Sequence, residues 1–465
     1  MEKISISADD LSKFLQNKTE PLLVFDLRPR EDFVEGHING SVHAVCDARA
    51  KETIMPKIPK DAKIVLVCDD GSVSGPTAEM MQSYGFNAYF LQGGVRGWDK
   101  GLAKKNVESI VSAEELWQDM QKKREIMLVD VREPDEFSDF RIPGSMNIPL
   151  VNLFKPDVVA TLPKDKKIVT VCPHGNRSMV AAFALARNGI EARGLFGGLA
   201  AWGQLLSAKE IAGDRAKIIQ IRKVGKGCLS YLIGSDGEAL VIDPVHPAEK
   251  YVELARENGL KIAKVMDTHQ HADHVSAAKE LARIAGAELF MSGYENYDFQ
   301  SSRLVDGDAI TIGRSEVRAI HTPGHTSGSL SYLLDGRYLF SGDILFADGI
   351  GRPDLRDKAK EFAGELYNTL QSLLRLPAHV TVLPAHHAEE TDASKGVSTT
   401  IDKAKRFPIL QMQQNEFINK VVGTVMPRPM NYEKIIQLNK AGGPLKNSEI
   451  PDLEMGPNRC AINAS

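Results

Sequence analysis

Residues 22–33, LLVFDLRPREDF, return as residues 126–137, IMLVDVREPDEF. Asp26 is matched by Asp130, Gly40 by Gly144, Cys68 by Cys172, Gly93-Gly94 by Gly197-Gly198 and Trp98 by Trp202, every pair 104 positions apart. One coincidence would mean little, but a single offset across these landmarks means a duplicated domain. A unit of roughly a hundred residues has the size of a compact domain and is too long for a solenoid repeat. Each copy alternates short apolar strands with amphipathic helices, which predicts an α/β fold with a mainly parallel sheet. In the second copy, strands are expected near residues 127–131 and 168–172, with a helix over about 178–188.

Cys172 closes the strand KIVTVC and opens CPHGNRS, a loop leading into that helix. Such a loop presents convergent backbone N–H groups and the positive end of the helix dipole. That lowers a thiol's pKa and binds the anionic atoms of whatever the sulfur attacks. Arg177 is expected to add a fixed positive charge at the loop's far end. An inert cysteine is the plainer alternative, but Gly175 and Arg177 suit an anion-cradling loop better than a core. On this loop, in which four residues separate Cys172 from Arg177, the copies resemble rhodanese domains. The related phosphatases and arsenate reductases carry a longer loop around a larger tetrahedral anion. The resemblance implies a persulfide intermediate on Cys172.

The first copy departs from the pattern. In CDDGSVSG, Cys68 remains, Val73 takes the place of Arg177, and Asp69 and Asp70 adjoin the thiol. Like-charge repulsion from those carboxylates disfavours the thiolate. Cys68 is therefore expected to be the weaker or inactive site, with the first copy serving structure or docking. Where the first copy has His37, the second has Arg141. Cys46, Cys228 and Cys460 lie in no such loop and read as small packing or surface residues.

At 465 residues the chain needs more than one core, and about three domains are expected. A net charge of -4 with scattered Lys and Arg gives no nucleic-acid surface. No apolar stretch reaches the length of a membrane span, and MEKISISADD lacks the layout of a signal peptide. Five widely spaced cysteines argue for a reducing, cytoplasmic setting rather than a disulfide framework. A homo-oligomer is compatible with all of this. Nine of the twelve histidines follow Trp202, so metal chemistry belongs to the C-terminal half. There THQHADH, residues 268–274, sets three imidazoles and Asp273 directly after the apolar run 262–266. Groups this dense repel one another when protonated, and they waste desolvation energy unless a cation holds them.

A polar connector is expected at residues 207–215, and the repeat stops there. Downstream, HTPGHTSGS (321–329), LFSGDILF (339–346), GIGRPDL (349–355) and VLPAHH (382–387) mostly set His or Asp just after apolar strands. Ligands spread over several strand ends converge on one sheet edge, where glycine lets the backbone come close. In order and spacing these segments resemble the metallo-β-lactamase superfamily, from about residue 216 to 443. The resemblance implies a four-layered αββα sandwich with a first metal site of His269, His271, His325 and Asp343. Asp273, His274 and His386 would complete a second site, with Asp343 able to bridge. His321 and His387 match no ligand position. The expected domains are 1–104 (rhodanese-like, degenerate), 105–206 (rhodanese), 216–443 (metal) and a tail at 444–465, a surface strap or disordered. Residues 401–436 read as largely helical.

Three chemistries suit these ligands. They are a two-zinc hydrolase attacking a thioester, a β-lactamase attacking a ring amide, and a mononuclear iron site of two histidines and one carboxylate. The neighbouring copies tilt the choice. Together with GDILFADGIGRPDL, they resemble the persulfide dioxygenase–rhodanese fusions, many of which place the metal domain first. That resemblance implies Fe(II), or zinc in the hydrolase alternative, on His269, His325 and Asp343 with His271 nearby. It also implies oxidation of glutathione persulfide or an equivalent thiol persulfide by O2 to sulfite. Cys172 would pass sulfane sulfur to sulfite as thiosulfate, or run in reverse. Arg352 and Asp354 are candidates for positioning substrate or ligands, or form a structural ion pair. From a different class, the chain would be a sulfur-relay module whose metal domain is mostly architectural.

Overall fold

In the computed structural model the described residues are 4–17, 22–43, 58, 60–103, 110–211, 215–353, 358–387, 396–424, 428, 431–443, 449–456 and 458–463. Cys46 and Asp354 lie outside them. Two compact units form, Met1–Trp202 and Gly203–Ser465.

In the first unit the duplication is visible strand by strand. Leu22–Asp26, Val42–His43 and Lys63–Val67 recur at Ile126–Asp130, Met146–Asn147 and Lys167–Val171. Each copy is a five-stranded parallel sheet, and the two share one strand order. Leu22–Asp26 is buried along its whole length, as an apolar strand in a parallel sheet covered on both faces should be. A buried ion pair is duplicated too: Arg28 binds Asp26 at 2.7 Å, and Arg132 binds Asp130 at 2.8 Å. Their second Nη2 contacts cap the carbonyls of Gly36 and Phe140. Stripping either pair of one partner would leave a buried charge, a loss of about 3–5 kcal/mol. The copies do not keep separate cores, since Leu23, Leu66 and Ala78 belong to one buried cluster with Val129, Ile168 and Leu185.

The second unit has four layers. A seven-stranded sheet runs from Leu206–Ile211 to Ser302–Leu304, and a six-stranded sheet from Ala309–Ile312 to Thr399–Thr400. Tyr231, Met266, Phe340 and Leu383 fill the space between them, Tyr231 meeting Phe340 edge-on with ring centroids 4.9 Å apart. Helices Glu249–Glu257 and Ala278–Ala285 cover the outer face of the first sheet. Ala359–Leu373 and Gln414–Gly423 cover the second. This is the αββα sandwich.

Two expectations change. Residues 206–211 are no connector: Leu206–Ile211 pairs antiparallel with Lys217–Lys223 as the edge of the first sheet. Its exposed Lys209 and Glu210 are what an edge strand carries against further pairing. The described part of the 444–465 tail is built into the second unit. It contains helix Ile450–Glu454 and strand Ala461–Asn463, which pairs with Gly349–Gly351.

Candidate functional site

Strand Lys261–Met266 ends where the histidine-rich loop begins, and strand Tyr338–Gly342 ends just before Asp343. His269, His325 and Asp343 come together there, fully buried, with one ligand atom from each within 4.8 Å of the others. Their tautomers are fixed from behind. Thr268 spends its hydroxyl proton on Asp243 at 2.9 Å, so its oxygen accepts from Nδ1 of His269, also at 2.9 Å. Nδ1 of His325 donates to the Arg352 carbonyl at 2.7 Å. Both rings therefore turn an Nε2 lone pair forward, and carboxylate or carbonyl anchors of this kind are usual behind metal-bound imidazoles. Asp343 uses Oδ1 on His386 at 2.5 Å and keeps Oδ2 for the same point. Oδ2 lies 3.5 Å from Nε2 of His325 and 3.8 Å from that of His269, and none of these three atoms has a hydrogen-bond partner. Three buried lone-pair atoms aimed at one another are intolerable without a cation, so the residues fit a metal ion. Burial alone would push the Asp343 carboxyl up; His386, His269 and His325 hold it well below the usual range.

The other expected ligands behave differently. Nε2 of His271 turns to Asp243 at 3.2 Å, in a group with Asp243 and Asp267, while its Nδ1 has no hydrogen-bond partner and its ring lies 4.2 Å from that of His269. Asp273 bonds to Nδ1 of His274 at 3.0 Å and to Nε2 of His386 at 2.9 Å. Asp273 thus joins the two imidazoles, while Nε2 of His274 has no hydrogen-bond partner. These second-site residues also gain members that the sequence reading dismissed. Cys228 donates to Asp273 at 3.3 Å, and Cys460 sits with Asp343 and His386. Neither is a packing or surface residue; both are buried ligand-type groups at the centre. No local motif marks them, because each reaches the site from a distant segment. His321 stacks on Tyr294 at 3.8 Å, away from the cluster. Arg352 serves through its backbone carbonyl, and its guanidinium donates to the Arg459 carbonyl at 3.0 Å.

The loop itself is clamped from the C-terminal segments. Nδ2 of Asn439 donates to the carbonyls of His271 and His274, both at 2.9 Å, and its Oδ1 accepts from Ser276 N–H at 2.8 Å. Glu454, buried and ion-paired with Lys223, accepts from Val275 N–H at 2.8 Å. Asn439→Ala is expected to weaken metal binding by roughly 10–100-fold, the usual cost of losing an outer partner. Equilibrium dialysis against a chelator would read it.

In the first unit, Cys172 is buried beneath its loop. Its sulfur accepts from Gly175 N–H at 3.2 Å and Ser178 N–H at 3.3 Å, at the start of helix Asn176–Arg187. A Cβ on Gly198 would lie 2.1 Å from the Cys172 carbonyl, and on Gly94 2.3 Å from that of Cys68, so both glycines are required by the loops they support. Arg177, expected to add a fixed positive charge at the loop's far end, has a partner there. It is forked onto Glu136 at 2.8 and 2.9 Å, which leaves anion binding to the backbone amides. Cys68 sits in a loop built the same way. Burial pushes its thiol up, but the Ser74 hydroxyl at 3.2 Å and the loop amides outweigh burial and bring it below its ordinary value. Asp69 and Asp70 do not set the outcome, because Asp70 is tied to Ser72 N–H and stays at the exposed rim.

Residues 224–386 match the family described as the metallo-beta-lactamase superfamily, and residues 7–100 and 112–205 each match the rhodanese-like domain. A hydroxyacylglutathione hydrolase of Xanthomonas euvesicatoria is 32% identical over 186 residues, 40% of this chain and 69% of that protein. Its namesake in Methylobacillus flagellatus is 32% identical over 172 residues, 36% of this chain and 65% of its own length. The mitochondrial persulfide dioxygenase ETHE1 of Mus musculus is 28% identical over 247 residues, 52% of this chain and 94% of that one. The chain belongs to the metallo-β-lactamase superfamily through its second unit and carries two rhodanese-like domains in its first.

Proposed function

We propose that the protein oxidises a low-molecular-weight thiol persulfide, glutathione persulfide or an equivalent, with O2 to sulfite at a mononuclear Fe(II) site, and couples this to sulfur transfer through a Cys172 persulfide. The observation that carries the reading is the converging trio of His269, His325 and Asp343 with unpartnered ligand atoms; His271 gives Nε2 to Asp243 and leaves its Nδ1 without a hydrogen-bond partner. Two histidines and a carboxylate are the donor set of non-haem iron oxygenases. His269, His325 and Asp343 would hold the iron, which would supply oxygen activation when bound. The chain's own part is to hold both imidazoles in one tautomer and to keep the centre dry. In the net reaction, persulfide, dioxygen and one water give thiol, sulfite and protons, so oxygen is reduced as the outer sulfur is oxidised. Cys172 persulfide can then hand its sulfane sulfur to sulfite, forming thiosulfate and returning the thiolate. This step needs no oxidant.

A reducing, cytoplasmic setting is in keeping with few, scattered cysteines, of which Cys68, Cys172, Cys228 and Cys460 form no disulfide. Among the described residues no helix is long and apolar enough to cross a membrane. The second reading is a two-zinc thioester hydrolase, favoured by the gathering of Asp273, His274 and His386 next to Asp343. Oxygen uptake with glutathione persulfide, measured beside total metal content, separates the two. Iron with uptake is the expected result; zinc with cleavage of a glutathione thioester would overturn it.

A further inference from the structure

The first unit has an open cavity of about 640 Å³ with walls from both copies. That volume suits a drug-sized organic molecule, where an inorganic anion would rattle. The second copy supplies His174, Gly175 and Asn176, the residues that follow Cys172, with Phe183 and Phe196 as apolar walls. The first copy supplies His37 and Ser41. Both are buried, with 1% and 4% of their surface exposed, yet His37 Nε2 and Ser41 Oγ have no hydrogen-bond partner. Buried polar atoms left unpaired cost about 1–3 kcal/mol each, so such a pair in a cavity wall marks a ligand's place.

The geometry also says what kind of ligand. His37 is pinned on three sides. Its ring stacks on Phe33 with centroids 4.2 Å apart, its Nδ1 donates to the Phe33 carbonyl at 2.9 Å, and its backbone bridges to Ala103. With Nδ1–H committed, Nε2 of the neutral ring is an acceptor and asks for an N–H or O–H donor. Thiosulfate and sulfite dianions have no such donor. An amide-bearing thiol has several.

We propose that this cavity docks the organic sulfur carrier, a small peptide-like thiol or persulfide, and that His37 and Ser41 of the first copy recognise its amide groups while its sulfur faces the Cys172 loop. This rests on the sulfur-transfer reading above. It gives the first copy a task other than catalysis, and it accounts for His37 standing where the second copy has Arg141. In the transfer, Cys172 thiolate takes the sulfane sulfur of thiosulfate and sulfite leaves. The carrier's thiolate then attacks the outer sulfur, the Cys172–sulfur bond breaks, and the carrier departs as its persulfide. No net oxidation occurs.

The test uses the full chain with thiosulfate as donor and either glutathione or cyanide as acceptor, following sulfite release. His37→Phe keeps the stack on Phe33 but removes the acceptor, and it should raise KM for glutathione about tenfold while the cyanide reaction stays within about twofold. His37→Gln, which restores an acceptor oxygen, should recover part of that loss. Ser41→Ala gives an independent second variant should His37→Phe fold poorly. An unchanged glutathione KM in both His37→Phe and Ser41→Ala overturns the docking site and leaves sulfur transfer standing. Wild-type protein that turns over thiosulfate to sulfite beyond one equivalent with neither acceptor, or that releases no sulfite with either acceptor, overturns the sulfur-transfer reading, and the docking site with it.

Discussion

Asp343→Ala is expected to abolish oxygen uptake with glutathione persulfide and to empty the centre of iron, while thiosulfate-dependent sulfur transfer at Cys172 continues. Asp343 supplies the carboxylate arm to the point where His269 and His325 aim, and its other oxygen holds His386 at 2.5 Å. Losing it removes a ligand and strands a buried imidazole in one step. The fall in metal affinity should exceed the roughly 10–100-fold that outer partners cost. Sulfur transfer should survive because Cys172 lies in the other compact unit, with its own loop and core. A variant that keeps its iron and still consumes oxygen would remove Asp343 from the ligand set. Asp343→Asn, of nearly the same shape, separates the loss of charge from the loss of packing.

Cys172→Ser should show the reverse pattern, sulfur transfer falling about 10³-fold or more with oxygen uptake kept. The informative control is Cys68. Its thiol sits below its ordinary value and receives the Ser74 hydroxyl, so chemistry alone does not disqualify it. What it lacks is the setting: Val73 is 55% exposed where the second copy has the Arg177–Glu136 fork. Sulfite release above about a hundredth of the wild-type rate in Cys172→Ser would shift carriage to Cys68. A double variant would then bring it to background.

The duplicated domain was legible because a shared offset needs no folding to be seen, and the structure repeats it in strands, strand order and the Asp26–Arg28 pair. His269, His325 and Asp343 were legible because each stands at a strand end in a recognisable turn. What the sequence hid was contributed at long range. Cys228, Cys460, Asn439 and Glu454 reach the centre from segments without local signature. Leu206–Ile211 was hidden for another reason: an edge strand must be polar to stay unpaired, so it imitates a linker. Arg177 shows the limit of counting charges along a chain, since its partner Glu136 is 41 positions away.

The involvement of residues 450–463 has a consequence for how the protein is made. Domains fold as units while the chain is still being synthesised, earlier segments first. The rhodanese-like copies can close around Cys172 while the ribosome is still reading the metal half. His269, His325 and Asp343 follow, but Glu454 has yet to grip Val275, and Ala461–Asn463 has yet to pair with Gly349–Gly351. A nascent chain therefore carries a finished thiol loop beside an unfinished metal centre. The metal centre is completed only when translation has passed the segment that locks it.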